Sequence, residues 1–278
     1  MPMITSLVGE SASSLGLAAH PEQEPRCVPQ ARSRGVNFFF FYGPSPERFG
    51  EALAPLVRKR REELIVASGS GSRKRRTLLA ARRKILDGLG IEMLDVFFAE
   101  YINPSDDPAA IFGAGGVLDE LDRWKAEGVI RCVGATDHDR RLAQQLAADP
   151  RVDLLMHRFN MAHRKAGQEV FPEAIRSKTP VVAFTATRWG TLLEPAGPVR
   201  RRAPSIVTAT ASRTRRYNSS LLRRKRARSL MRIWRCSRCR LSPIANARIG
   251  SDSEISSMEE APTRSTRNGN EAGGKRWR

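Results

Sequence analysis

Apolar residues fall along this chain in short runs separated by longer amphipathic stretches. The most continuous run is Val36–Phe41, led in by Gly35 and stopped by Tyr42-Gly43-Pro44. A strand that is apolar at every position must be buried on both faces, which suits a parallel strand covered by helices. Further short runs predict strands at Leu15–Ala19, Glu63–Ser68, Leu94–Ala99, Val129–Ala135, Val152–Met156 and Pro180–Phe184. Helical spacing predicts helices at Pro25–Arg34, from Pro46 to about Arg61, and at Ser72–Leu89, Gly116–Glu127, Asp139–Ala148 and Glu169–Ser177. Pro29 interrupts the first, Pro46 opens the second at its first turn, and Gly128 closes the fourth. Strands and helices therefore alternate roughly every 25–30 residues, the signature of repeated βα units around a parallel sheet. The strand ends carry Tyr42, Glu100, Thr136, His157 and Thr185. In a closed α/β barrel these would meet on one rim; in an open doubly wound sheet they would not.

Charge changes this picture only at one end. The chain has 278 residues and a formal net charge of +19. Residues 198–278 hold 21 Lys/Arg against 5 Asp/Glu, whereas residues 1–197 hold 27 against 24. The body is ordinary, and its basic run Arg73–Arg76 reads as a solvated helix face. Four cysteines (Cys27, Cys132, Cys236 and Cys239) do not make a disulfide framework in a chain this long, so a cytoplasmic protein is expected. The first residues lack a basic stretch followed by an apolar core, and no run approaches the length of a membrane span. No membrane partner is expected.

The candidate chemistry begins at Tyr42, placed just past the end of a buried strand. By itself a tyrosine in such a place is more often a packed aromatic with a wet hydroxyl than a catalytic phenol. Taken in order, six segments resemble the aldo/keto reductase family: GVNFFFFYG, ELIVASG, LDVFFAEY, WKAEGVIRCVGATDHD, VDLLMHRFN and VVAFTATRWGTLL. The resemblance runs from about Leu15 to Pro195. It implies a (β/α)8 TIM barrel and NADPH-dependent reduction of a small-molecule carbonyl substrate. By position, Tyr42 stands where that family has its general acid. Phe40 stands at the position of the tuning Asp, Gly69 at that of the Lys and Glu100 at that of the His. A phenol with a pKa near 10 needs a neighbouring cation to give up its proton readily. Without the Asp and Lys, a Glu100 in apolar surroundings could hold and donate the proton itself. Thr136 and Asp137 stand at the Ser-Asn pair that takes the nicotinamide. Phe184 stands at the stacking tyrosine, Thr185 and Thr187 at phosphate-loop positions, and Met156 at a Gln that holds the carboxamide. The departures leave a non-catalytic nucleotide- or ligand-binding barrel as the alternative.

From about Ala196 the alternation stops. The expectation is a barrel-like body over 1–197, incomplete because strand 8 is lost, and an irregular basic tail over 198–278. A zinc site at Cys236-Ser-Arg-Cys239 would need two further ligands that the tail does not offer. Nucleic-acid binding would use the basic charge with Tyr217 and Trp234 as stacking rings. Arg-rich text of this kind is also what an out-of-frame reading of GC-rich coding sequence gives. Shifted by one base, Ile206–Cys236 can be read as the family's missing helix and strand. That reading is preferred, and nucleic acid is not expected as a partner.

Overall fold

The computed structural model describes residues 3–7, 10–20, 23–43, 47–188, 191–193 and 231–235. The chain divides into two compact units, Met1–Ser242 and Pro243–Arg278, and all described residues belong to the first. It opens with an antiparallel pair, β1 (Met3–Leu7) and β2 (Glu10–Ser13), which the hydrophobic pattern did not signal. Then follow β3 (Leu15–Ala18), α1 (Cys27–Ser33), β4 (Phe38–Phe40), α2 (Glu47–Arg60), β5 (Ile65–Ser70), α3 (Arg75–Leu89) and β6 (Leu94–Ile102). Next come α4 (Pro108–Phe112), α5 (Val117–Ala126), β7 (Ile130–Asp137), α6 (Arg140–Ala148), β8 (Leu154–Arg158), α7 (Ala166–Glu169), α8 (Phe171–Arg176) and β9 (Val181–Phe184). β3 to β9 pair in chain order, every pair parallel, as the (β/α)8 expectation requires.

The hydrophobic pattern offers no eighth strand; β10 (Met231–Arg235) takes that place, pairing in parallel with both β3 and β9. The reason is geometric. β3 and β9 would otherwise each present a row of unpaired backbone groups, and this five-residue segment pairs with Leu15–Ala18 of β3 and with Val182 and Ala183 of β9. Cys236, Cys239, Tyr217 and Pro46 lie outside the described residues. So does nearly all of the remaining tail.

The wall of Phe residues in β4 shows why an unbroken apolar run was needed. Phe38 and Phe40 point into the barrel with Ile65, Val96, Phe98, Met156 and Val182. Phe39 and Phe41 point out, under α1 and α2, with Leu53, Val57 and Val66. Successive side chains of a strand face opposite sides, so one strand feeds two cores. All four rings are fully buried, each stabilising the fold by about 1.5–3 kcal/mol. Pro29 does not break α1. It is the third residue of the helix, and the first i−4 bond, from Gln30 N to Arg26 O at 3.2 Å, comes after it. Gly128 stops α5 at φ 74°, where its N–H and that of Val129 donate to Lys125 O and Trp124 O.

Inside the barrel, Phe98 sets its neighbours. Its register partners are Gly69 on β5 and Gly134 on β7. A Cβ at Gly134 would lie 2.3 Å from the Phe98 ring, and one at Gly69 would lie 2.1 Å from the Phe98 carbonyl oxygen. Gly134 makes room for the ring, and Gly69 lets the β6 main chain approach β5 closely.

Candidate active site

The inward-facing positions at the C-terminal ends of the strands define the site. On β6 the inward alternation Val96, Phe98 ends at Glu100; on β7 it runs through Cys132 and Gly134 to Thr136; on β9 it ends at Phe184. Glu100 is 2 % exposed. Its two carboxylate oxygens accept from the N–H of Gly43 at 3.1 and 3.2 Å, which ties the residue after Tyr42 to β6. Burial pushes the Glu100 carboxyl up to about 8, against the opposing pulls of the Gly43 N–H and the Arg73 charge. Arg73 is anchored by Asp106 at 2.8 Å and donates to the Glu100 main-chain oxygen at 3.1 Å.

The floor beneath Glu100 is apolar. Phe40 meets Phe98 edge-to-face at 5.6 Å and Tyr42 edge-to-face at 4.5 Å. Phe40 and Gly69, which stand where the family resemblance would place Asp and Lys, are thus parts of one packing unit around Phe98. Tyr42 is half-buried. Its other face stacks on Tyr101, with centroids 5.3 Å apart and planes 21° from parallel. Tyr101 is 49 % exposed. It sits at φ 53°, where β6 slips its register against β7, and its N–H donates to Thr136 Oγ1 at 2.8 Å. A chain of contacts therefore joins Tyr42, Glu100, Tyr101 and Thr136.

Phe184 completes the rim from the other side and meets His138 at 5.0 Å between ring centroids. Burial, and next the charge of Arg158, bring His138 down to about 4, so its ring is neutral near pH 7. Tyr101, Ile102, Asn103, Pro104, His138 and Asp139 line an open cavity of about 380 Å³ at this rim. Thr185 follows at φ 55° and is buried; its Oγ1 has no hydrogen-bond partner. Thr187 is buried in the same turn, where its carbonyl accepts from Leu192 N.

Asp137 is not brought to this rim. It is the register partner of Ile102 and His157, on the outward face of the sheet, and its Oδ1 lies 3.0 Å from His157 Nδ1. Both are almost completely buried, and burial holds the Asp137 carboxyl above its usual range. One residue along a strand reverses the face, so Thr136 and Asp137 cannot both look inward. Sequence reasoning missed Tyr101, His138 and Arg158. Tyr101 and His138 were signalled only by directly following site residues at strand ends.

Among the described residues no group of three or more His, Cys, Asp or Glu is placed to hold a metal ion. Cys132 is a free, buried thiol pushed up to about 12, mainly by burial, and is therefore inert. Among the described residues no helix is long and apolar enough to cross a membrane.

A sequence profile described as "Aldo/keto reductase family" matches residues 13–237. The chain belongs to the aldo/keto reductase family. Solved members share the fold at low identity. An aldo/keto reductase from Klebsiella pneumoniae, in complex with NADP and acetate, is 15% identical with a TM-score of 0.63, covering 84% of this chain and 85% of that one. Another Klebsiella pneumoniae structure, in complex with NADPH, is 14% identical with a TM-score of 0.64, covering 85% of each chain. A glycerol dehydrogenase from Gluconobacter oxydans is 15% identical with a TM-score of 0.56, covering 83% of this chain and 84% of that one. No curated protein sequence matches the chain.

Proposed function

We propose that this chain reduces a small carbonyl compound with NADPH and that Glu100 delivers the proton. The observation that carries this reading is the buried Glu100 carboxyl at the C-terminal end of β6, above a Phe40–Phe98 floor and protonated near neutral pH. The apolar floor removes the family's tuning pair from Tyr42 and, by desolvation, keeps Glu100 protonated near pH 7, so that the carboxyl and not the phenol is the proton donor. Tyr42 and Tyr101 then act as a stacked wall beside it.

The residues present fit a dinucleotide on the nicotinamide side. The buried Thr185 Oγ1 lacks a partner, and Phe184 offers an inward ring. Phe184, Thr136, Thr185 and Thr187 would hold the group. Asp137 would act one layer behind, through its pair with His157. When bound, the dinucleotide supplies the hydride for the carbonyl carbon. Glu100 Oε–H gives its proton to the carbonyl oxygen, so the alcohol forms and Glu100 is left as the carboxylate, still held by the Gly43 N–H. Gly43 also ties the Tyr42 loop to β5, where Ser68 Oγ donates to its carbonyl at 3.1 Å.

The test is NADPH consumption with benzaldehyde and 4-carboxybenzaldehyde. Glu100→Gln should lower kcat/KM by roughly 10²–10⁴, the usual worth of a general acid, and Tyr42→Phe by clearly less. Equal rates in Glu100→Gln and the parent would end the assignment. A second reading, a barrel that binds nucleotide without turnover, draws on Phe40 and Gly69 at the two tuning positions. It predicts saturable NADPH binding with no consumption of either aldehyde.

A further inference from the structure

Arg158 ends β8 on the inward alternation Leu154, Met156, and its register partner is the inward Phe184. It is half-buried, and no hydrogen bond or ion pair ties its guanidinium to any described residue. A half-buried guanidinium with no acidic partner is available to an anionic ligand, which it can take through charge-assisted hydrogen bonds. Here the neighbouring carboxylates are already engaged or absent. Asp137 is paired with His157 on the outer face, and Asp139 accepts from the N–H groups of Arg141 and Leu142 at the start of α6. The groups that do face Arg158 cannot neutralise it. His138 and His163 are both held towards the neutral form, first by burial and next by Arg158 itself. Arg188, which also acts on His163, adds a second positive charge with no ion pair among the described residues.

This corner of the rim thus has positive charge and no counterion of its own, while Glu100 stands across the mouth on β6. β7 alone lies between β6 and β8, so the two strands are roughly 10 Å apart. Resting on the reductase reading of the same site, we propose that the substrate is a carbonyl compound carrying a carboxylate. Its carboxylate is taken by Arg158 and its carbonyl is presented to Glu100. The separation suits two to four intervening carbons or one benzene ring. Arg158 is the choice over a cofactor-phosphate role because it faces inward, on the Glu100 side of Phe184. Thr185 and Arg188 lie past Phe184 along the chain.

Two measurements test this, one of them without turnover. In kinetics with NADPH, the parent should favour 4-carboxybenzaldehyde over benzaldehyde by tenfold or more in kcat/KM. Arg158→Met should reduce that ratio by roughly ten- to a hundredfold, the range for losing a charge-assisted pair, and Arg158→Lys should restore part of it. In calorimetry with NADP⁺ present, succinate should bind the parent and bind Arg158→Met at least about tenfold more weakly. If neither aldehyde is consumed but succinate binding depends on Arg158, the anion site stands and the reductase reading falls. Succinate binding that is absent, or indifferent to Arg158→Met, overturns the proposal. So does a loss of NADPH affinity in place of succinate affinity, which would give Arg158 to the cofactor's phosphates. Should Arg158→Met not fold, Arg158→Gln carries the same comparison.

Discussion

Glu100 shows how one side chain's chemistry is set by what lies beneath it. Its folded pKa of about 8 is raised from the ordinary 4.5 by desolvation. As pH rises from about 4.5, the unfolded chain loses this proton while the native protein keeps it. Stability therefore falls with rising pH across that window and levels off above about 8. The loss is on the order of a few kcal/mol. His138 has the opposite sign. Its pKa is lowered from 6.5 to about 4, so its contribution is present above 6.5 and lost as pH falls through that interval. Comparing parent with variant isolates Glu100. Denaturation midpoints of Glu100→Gln should lack the downward slope that the parent shows between about pH 5 and 8, relative to each protein's value at low pH. Identical slopes would mean that Glu100 is not buried as described. Turnover by the parent should likewise decline above about pH 8, where the donor is deprotonated.

At the scale of elements, β6 governs its neighbours through Phe98. Gly134→Ala places a methyl 2.3 Å from that ring, a contact neither side can relieve in place. The expected cost is about 1–3 kcal/mol in urea denaturation, as for other overpacked cores. Phe98→Leu in the same chain should recover part of it, because the two residues share one volume. Additive losses would show that the ring does not fill the space. The same geometry explains why a lysine is absent at position 69. Gly69→Lys would have to displace the β6 backbone before its amine could reach Tyr42, so it should lower the Tm without raising activity. Strands were legible here because apolar runs bounded by Gly, Pro and polar residues leave few alternatives. The role of Gly69 was not, because the clash that demands glycine is with a residue 29 positions away.

At the scale of the molecule, closure depends on β10, drawn from beyond residue 198. A chain ending at residue 230 would leave β3 and β9 as open parallel edges. Such edges template association, so the truncated protein should form concentration-dependent oligomers in light scattering. A monodisperse truncated chain would show that closure by β10 is dispensable. The sequence pattern does not place this strand, because a strand held by its main chain needs little from its side-chain pattern. Met231–Arg235 is too short for periodicity to register.

By itself the sequence determined the alternation of strands and helices, the parallel sheet, and the placement of Tyr42, Glu100, Thr136 and Phe184 at strand ends. These follow from local hydrophobic period and turn chemistry, which act over a few residues. The tertiary structure decided what those residues can do. It turned Asp137 outward by the two-residue period of β7 and set Tyr101 against Tyr42 through a register slip. It also placed Glu100 over a Phe40–Phe98 floor and left Arg158 inward without a carboxylate. Each of these depends on register and desolvation between segments far apart in the chain. Pairing across strands fixes both, and no local pattern encodes them.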